Sequence, residues 1–215
     1  MQRQPTKIAA PQLSGEENFP PFALDQVSTG ETYSRVSFRQ LDLSFSRVPN
    51  LRFEEVAFAG TVLRQAVWQG VGMVDAWFRG CDLSNADFQQ ASCHRVEFES
   101  CNLTGANLSK SQLANTRFER SKMLLAQFSQ TRFTACSFRG CNLEQADFTG
   151  ADLRNVVFDG CNLLQARFFG AKLQGADLRK SNLAELGATP SDLRGAIVEA
   201  TQLIHFAPLL GLIVE

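Results

Sequence analysis

The sequence predicts an all-β solenoid: a quadrilateral parallel β-helix of about eight coils, closed by a short C-terminal α-helix. Three observations carry this reading. From Tyr33 to Leu183 every fifth residue is large and apolar, with Cys93 the one departure, and the beat holds for 31 consecutive positions without an insertion. Two residues before each of these, from Val56 to Ser181, stands only Ala, Val, Cys, Ser or Thr. Glycines fall repeatedly two residues after the large one, as at Gly60, Gly80, Gly105, Gly140 and Gly160.

A period of five matches neither the 3.6 of a helix nor the 2.0 of a strand, so the chain must turn regularly. If each pentad is a short extended side with a corner, four sides close a square coil of about twenty residues. The large and small residues then point inward, the other three outward. Glycine two after the centre suits a corner with positive φ. Coils stacked about 4.8 Å apart would pair as parallel strands and give a rod about 40 Å long. The inward ladder includes Phe138, Leu143, Phe148, Leu153, Phe158, Leu163 and Phe168. Each such side chain contributes roughly 1.5–3 kcal/mol on burial. A slot of this kind accounts for 18 Phe beside one Tyr and two Trp.

The cysteines raise a question of chemistry, because the tetrapeptide Gly-Cys-Asn-Leu occurs twice, placing Cys141 and Cys161 twenty residues apart. The beat answers it. Cys81, Cys101, Cys136, Cys141 and Cys161 occupy the small inward column and Cys93 the large one, so they read as core filler rather than ligands. His94 and His205 are isolated, and no His/Cys cluster has zinc spacing. The sequence therefore implies no metal, no cofactor and no disulfide. No nucleophile–base constellation or phosphate loop stands outside the repeat, and a filled solenoid has no pocket for a small-molecule substrate, so an enzyme is not expected. Asp147, Asp152 and Asp177 read as turn or surface residues.

Three segments follow: 1–30 as N-terminal tail and cap, 31–198 as the β-helix, and 199–215 as C-terminal helix and tail. Residues 1 to about 17 are expected to be loosely tied, with Phe19, Phe22 and Leu24 covering the first coil. In "EATQLIHFAPLLGLIVE" the helical spacing of Leu203, Phe206 and Leu210 predicts the helix, which Pro208 must end or kink and Gly211 can stop. The apolar residues Leu203, Phe206, Leu209, Leu210, Leu212 and Ile213 must cover the last coil, a partner, or both.

Segments such as "ADFTG", "ADLRN", "CNLTGANLSK" and "AKLQGADLRK" resemble the pentapeptide-repeat family, over about residues 31–185. The resemblance implies the right-handed form of the β-helix. The C-terminal "LLGLIV" and the run "YSRVSFRQLDLSF" are further similar to the Qnr and MfpA quinolone-resistance subgroup. That resemblance implies a homodimer through the C-terminal residues above and binding to DNA gyrase or topoisomerase IV. It also implies protection of the enzyme from poisons such as fluoroquinolones, partly as a DNA mimic. Qnr proteins carry loops that interrupt the coil, whereas this chain has none between Tyr33 and Leu183, as in MfpA. A scaffold for an unrelated protein partner is the alternative.

Charge tests the mimic. With 21 basic and 22 acidic residues, nothing global advertises nucleic acid or a membrane surface as partner. The start of the chain lacks the apolar segment of a secretory signal, so the cytoplasm is the expected location. The wall containing Leu83 and Leu143 is the most acidic, with Asp42, Asp82, Glu144 and Glu185 against Arg64 and Lys122. The next wall bears Asp87 and Asp147 against Arg47, Lys110 and Arg167. Candidate partner-binding residues are thus Asp82, Asp87, Glu144 and Asp147, with outward Leu124, Leu125, Leu164 and Phe169 grouped around one edge and Trp77 alone on another.

Overall fold

The computed structural model describes residues 7–13, 15, 19–20 and 30–213. Phe22 and Leu24 lie outside them. The chain winds into a parallel β-solenoid whose every rung is displaced by twenty residues: Phe38 aligns with Phe58, Phe58 with Phe78, and so on to Phe138 with Phe158. Four walls result. Wall A is centred on Tyr33, Phe53, Met73, Cys93, Leu113 and Phe133, and wall B on Phe38, Phe58, Phe78, Phe98, Phe118, Phe138 and Phe158. Wall C is centred on Leu43, Leu63, Leu83, Leu103, Met123 and Leu143, and wall D on Trp68, Phe88, Leu108, Phe128, Phe148 and Phe168.

Walls A and B carry the regular strands: β1 (Thr32–Ser34), β2 (Ser37–Arg39), β3 (Arg52–Ala59), β4 (Gly72–Arg79), β5 (Ser92–Glu99), β6 (Gln112–Glu119), β7 (Arg132–Thr134), β8 (Ser137–Arg139) and β9 (Val157–Asp159). In β3 to β6 a single strand runs through the corner between the two walls. Walls C and D are held by isolated parallel bridges in the same register, such as Asp82 to Asn102 and Asp87 to Asn107. The named strands span about six turns, fewer than the eight coils expected. Past Arg139 regular strand survives only in β9, and most pairing on all four walls is by single bridges.

Every residue whose number is a multiple of five from Gly30 to Glu185 has positive φ. The corners were expected to favour glycine, yet most are filled by other residues, including Asp75, Arg95, Asn115 and Leu125. An L-residue in this conformation costs roughly 1–2 kcal/mol, which the surrounding ladder must offset.

The interior is a stack of rings. Along wall B the Phe centroids lie 4.3–5.0 Å apart with interplanar angles of 2–12°. Along wall D, Phe128, Phe148 and Phe168 repeat the arrangement. The expected ladder from Phe138 to Phe168 is buried throughout.

Both ends depart from the expectations. Residues 7–13 are not loose. They lie against the outside of the rod, where Arg117 donates to the Ile8 carbonyl, Ala9 N–H to Asn115 Oδ1 (3.1 Å) and Gln12 N–H to Asp75 Oδ1 (2.9 Å). Buried Phe19 is in place at the first coil, its carbonyl accepting from Ser37 Oγ. At the other end the helix is 3-10, not α: Ala200–Phe206, then Pro208–Leu210. Pro208 opens the second turn, where its missing N–H costs nothing, and left-handed Gly211 ends it. Gln202 anchors this segment. Its side chain is drawn onto the last coil, donating to the carbonyls of Leu178 (3.0 Å) and Ser181 (2.7 Å), while its Oε1 accepts from Glu199 N–H.

Candidate interaction surfaces

All six thiols are buried and none is in a disulfide. The column after wall B, Thr61, Cys81, Cys101, Ser121, Cys141, Cys161 and Ser181, does more than fill space. Each hydroxyl or thiol lies 2.8–3.4 Å from the carbonyl of the wall B phenylalanine 23 residues earlier, as Cys141 does from Phe118. Cys141 and Cys161 sit on successive coils of one wall, as the spacing required. The Cys141 thiol beside it and burial both push the Cys161 thiol up. Burial raises Cys93 to about 12 and Cys136 to about 11. Thiols so held are poor nucleophiles. Among the described residues no group of three or more His, Cys, Asp or Glu is placed to hold a metal ion.

The acidic candidates on walls C and D are turn-fixing groups first. Asp82 Oδ1 accepts from Ser84 N–H, Asp87 Oδ1 from Gln89 N–H and Asp147 Oδ1 from Thr149 N–H, so one oxygen of each faces the backbone. Asp152 and Asp177 cap in the same way and pair with Arg154 and Arg179. On the most acidic wall Arg64 reaches Asp82 at 2.6 Å. Burial would raise Asp82, but the Arg64 guanidinium and Ser84 outweigh it and hold the carboxyl below its usual range. Glu144 accepts from Asn162. Glu185 accepts likewise from Gln165, so the wall presents one ion pair and a few scattered carboxylates on neutral donors rather than an anionic stripe.

The apolar candidates do not share one edge. Leu124, Leu125 and Leu164 lie at the corner between walls C and D, while Phe169 lies beyond wall D, its ring over Gly187. A Cβ on Gly187 would meet that ring at 3.0 Å. Leu125 and Phe169 are exposed, Leu124 and Leu164 only partly, so the two sets flank wall D without forming one patch. Phe45, at a corner of the first coil, is more exposed than either.

The C-terminal end is the largest apolar exposure. Leu203, Ile204, Leu210, Leu212 and Ile213 are exposed, whereas Phe206 and Leu209 pack partly against the core. Between them and Leu193, Ala196 and Val198 runs an open groove of about 230 Å³. Trp77, an outward residue, is unexpectedly buried, with the Arg79 guanidinium over its ring. Among the described residues no helix is long and apolar enough to cross a membrane.

The pentad grammar and this coil agree with the family model for a pentapeptide repeat region, which matches residues 51–128, 91–168 and 131–206, well over half the chain. The chain belongs to the pentapeptide-repeat family. No curated protein matches the sequence. Among solved structures of pentapeptide-repeat proteins, the chain is similar to a trypsin-treated variant of QnrB1, described as a plasmid-mediated fluoroquinolone resistance protein. Identity is 20% and TM-score 0.44, over 83% of this chain and 100% of that one. HetL, involved in heterocyst differentiation regulation in Nostoc sp. strain PCC 7120, gives 20% and 0.42 over 79% and 87%. A thylakoid-lumen pentapeptide-repeat protein of Arabidopsis thaliana gives 26% and 0.23 over 54% and 70%. Likeness at this level says nothing about function.

Proposed function

We propose that this pentapeptide-repeat protein is a non-catalytic, cytoplasmic, homodimeric rod that binds a type II topoisomerase, DNA gyrase or topoisomerase IV, and shields it from poisons such as fluoroquinolones. The observation that carries the reading is the apolar C-terminal end: Leu203, Leu210, Leu212 and Ile213 project from a 3-10 segment anchored to the last coil by Gln202. This is the segment whose sequence resembles the Qnr and MfpA ends, and a second copy would cover it. An interior filled by stacked rings supports a binding role over a catalytic one. The scattered carboxylates of wall C, interrupted by Arg64 and Lys122, give DNA mimicry the least support, so contact with the enzyme would be of mixed charge and shape rather than a run of phosphate-like carboxylates.

Two experiments test this. Supercoiling by gyrase, with and without a fluoroquinolone, should be altered or protected by micromolar protein. An unchanged reaction in both arms removes the topoisomerase and leaves the second reading, a scaffold for another protein, which the mixed-charge walls favour. The exposed pair Leu203→Glu and Leu210→Glu should convert a sedimenting dimer to monomer, and a variant that stays dimeric refutes the interface.

A further inference from the structure

Wall A continues past Phe133 through Leu153, Leu173 and Leu193, and its outward face there carries an unbalanced set of cations. Arg132 and Lys172 stand in one file, with Asp152 between them and in register with both. Arg154 and Arg194 stand in the neighbouring file, two coils apart, and all four basic residues are exposed. The carboxylates beside them are already engaged. Arg154 takes both oxygens of Asp152, Nε to Oδ1 at 2.8 Å and Nη2 to Oδ2 at 2.6 Å. Asp192 accepts from Gly170 N–H (3.1 Å) on one oxygen and from the N–H (2.8 Å) and hydroxyl (2.7 Å) of Thr189 on the other. Among the described residues Arg132, Lys172 and Arg194 form no ion pair.

The surface between these cations is hollow. One cleft of about 310 Å³ is bordered by Arg132, Asp152 and Arg154, and a second of about 470 Å³ by Arg154, Lys172 and Arg194, so that Arg154 joins the two into a trough. Four corners bordering this stretch, Gly150, Gly170, Gly175 and Gly195, are glycine, and no side chain rises from them to screen the charges. The described contacts of the N-terminal arm, residues 7–13, end on the preceding coil at Asn115 and Arg117. Coils about 4.8 Å apart place Arg132 and Lys172, and likewise Arg154 and Arg194, about 9.6 Å from each other along the rod. A β-strand laid along the trough does not match, because its side chains on one face repeat about every 6.8 Å. Polyproline II does: three residues per turn, each rising about 3.1 Å, bring every third side chain to the same face about 9.3 Å on.

We propose that this trough binds an acidic, proline-rich segment of a partner protein in the polyproline II form, whose carboxylates at every third position meet Arg132 and Lys172, with Arg194 adding its charge at the far end. Charge and pitch together define the occupant. A polyproline II segment needs no hydrogen bonds of its own and is ordered before it binds, so a few charge contacts suffice to hold it. Nucleic acid fits less well, because its binding draws on many phosphate contacts, and here three free cations are flanked on wall B by Asp159, Asp177 and Glu199. The trough lies on a different face from the apolar C-terminal end and depends neither on the dimer nor on the topoisomerase.

The test uses the full chain and a fluorescein-labelled synthetic peptide of four Glu-Pro-Pro repeats, read by polarisation. The chain should bind it, and more weakly as sodium chloride is raised. Arg132→Gln, Lys172→Gln and Arg194→Gln together should weaken binding about tenfold or more. The equal charge change at exposed Arg47, Arg52 and Lys122, away from the trough, should leave it within about twofold. All six side chains are exposed, and matching thermal midpoints show that both triple variants keep the solenoid. A peptide of the same composition with its glutamates in one block should bind several-fold less tightly than the spaced one. No binding at millimolar peptide, the same loss in both triple variants, or equal affinity for the spaced and blocked peptides overturns the proposal. So does tighter binding of a labelled twelve-nucleotide oligothymidylate that the trough substitutions abolish, since the occupant would then be a nucleic-acid strand.

Discussion

Walls B and C make the same five-residue turn in two different ways. At the wall C corners the backbone closes on itself: Leu63, Leu83, Leu103, Met123, Leu143 and Leu163 each accept from the N–H three residues on, at 3.0–3.1 Å. Among the described residues no such bond closes the wall B corners from Phe58 to Phe158, where side chains bond across coils instead. The small inward columns differ accordingly. After wall C, Ala66, Ala86, Ala106, Ala126, Ala146 and Ala166 are all alanine; after wall B, all seven residues carry a hydroxyl or thiol. On these two walls the closed corner goes with alanine and the open corner with a donor, although the closed corners after Trp68 and Phe128 on wall D carry Val71 and Thr131.

The difference can be broken most forcefully through the rings that fix wall B. Phe118 is fully buried and stacks on Phe98 and Phe138. Phe118→Ala should cost about 3–5 kcal/mol, seen as a lowered midpoint in urea with the slope unchanged. Next in size is a paired substitution. Ala106→Val, at a closed corner, should cost about 1–3 kcal/mol through overpacking. Ser121→Thr adds one methyl group, against the two of Ala106→Val, at an open corner; it keeps the donor to Phe98 and follows the precedent of Thr61 in its own column, so it should stay within about 1 kcal/mol of the parent. Equal losses would mean that the two corners do not differ in room.

A third substitution sharpens the role of the donor. Cys141→Ala removes the thiol that meets the Phe118 carbonyl and should cost about 1 kcal/mol, while Cys141→Ser, which can still donate, should cost less. If serine is the worse of the two, the column is small for packing alone and the hydrogen bond is incidental.

Much of this was legible before any coordinates. A period of five has one geometric solution, and the twenty-residue rise that places Cys161 beyond Cys141 follows from counting. The split between the alanine and donor columns was also written in the residues at positions 66–166 and 61–181. It shows at a spacing of twenty and is hidden at a spacing of five, which mixes the four walls. Other features could not be read that way. The seating of residues 7–13 depends on Asp75, Asn115 and Arg117, which the fold brings to one face and whose partners are backbone atoms without a sequence signature. The anchoring of the C-terminal 3-10 segment likewise depends on the Gln202 side chain meeting the Leu178 and Ser181 carbonyls, contacts invisible to helical periodicity.

The smallest effect concerns the corners shared by all walls. Leu125 holds φ at 58° with an exposed side chain, so its branched carbon skeleton contributes little packing to set against the strain. Leu125→Gly relieves about 1–2 kcal/mol of left-handed strain and returns about 0.5–1 kcal/mol as added freedom of the unfolded chain. The net gain should lie between zero and about 1.5 kcal/mol, a rise of a few degrees in midpoint at most. At Asp75, with φ of 53°, the same substitution should have the opposite sign, because the carboxylate there binds Arg95 and the arm. Thermal unfolding of the two variants side by side separates corners retained for their conformation from the corner retained for its contacts. If Asp75→Gly proved stabilising as well, the clamp on residues 7–13 would add nothing to the folded state.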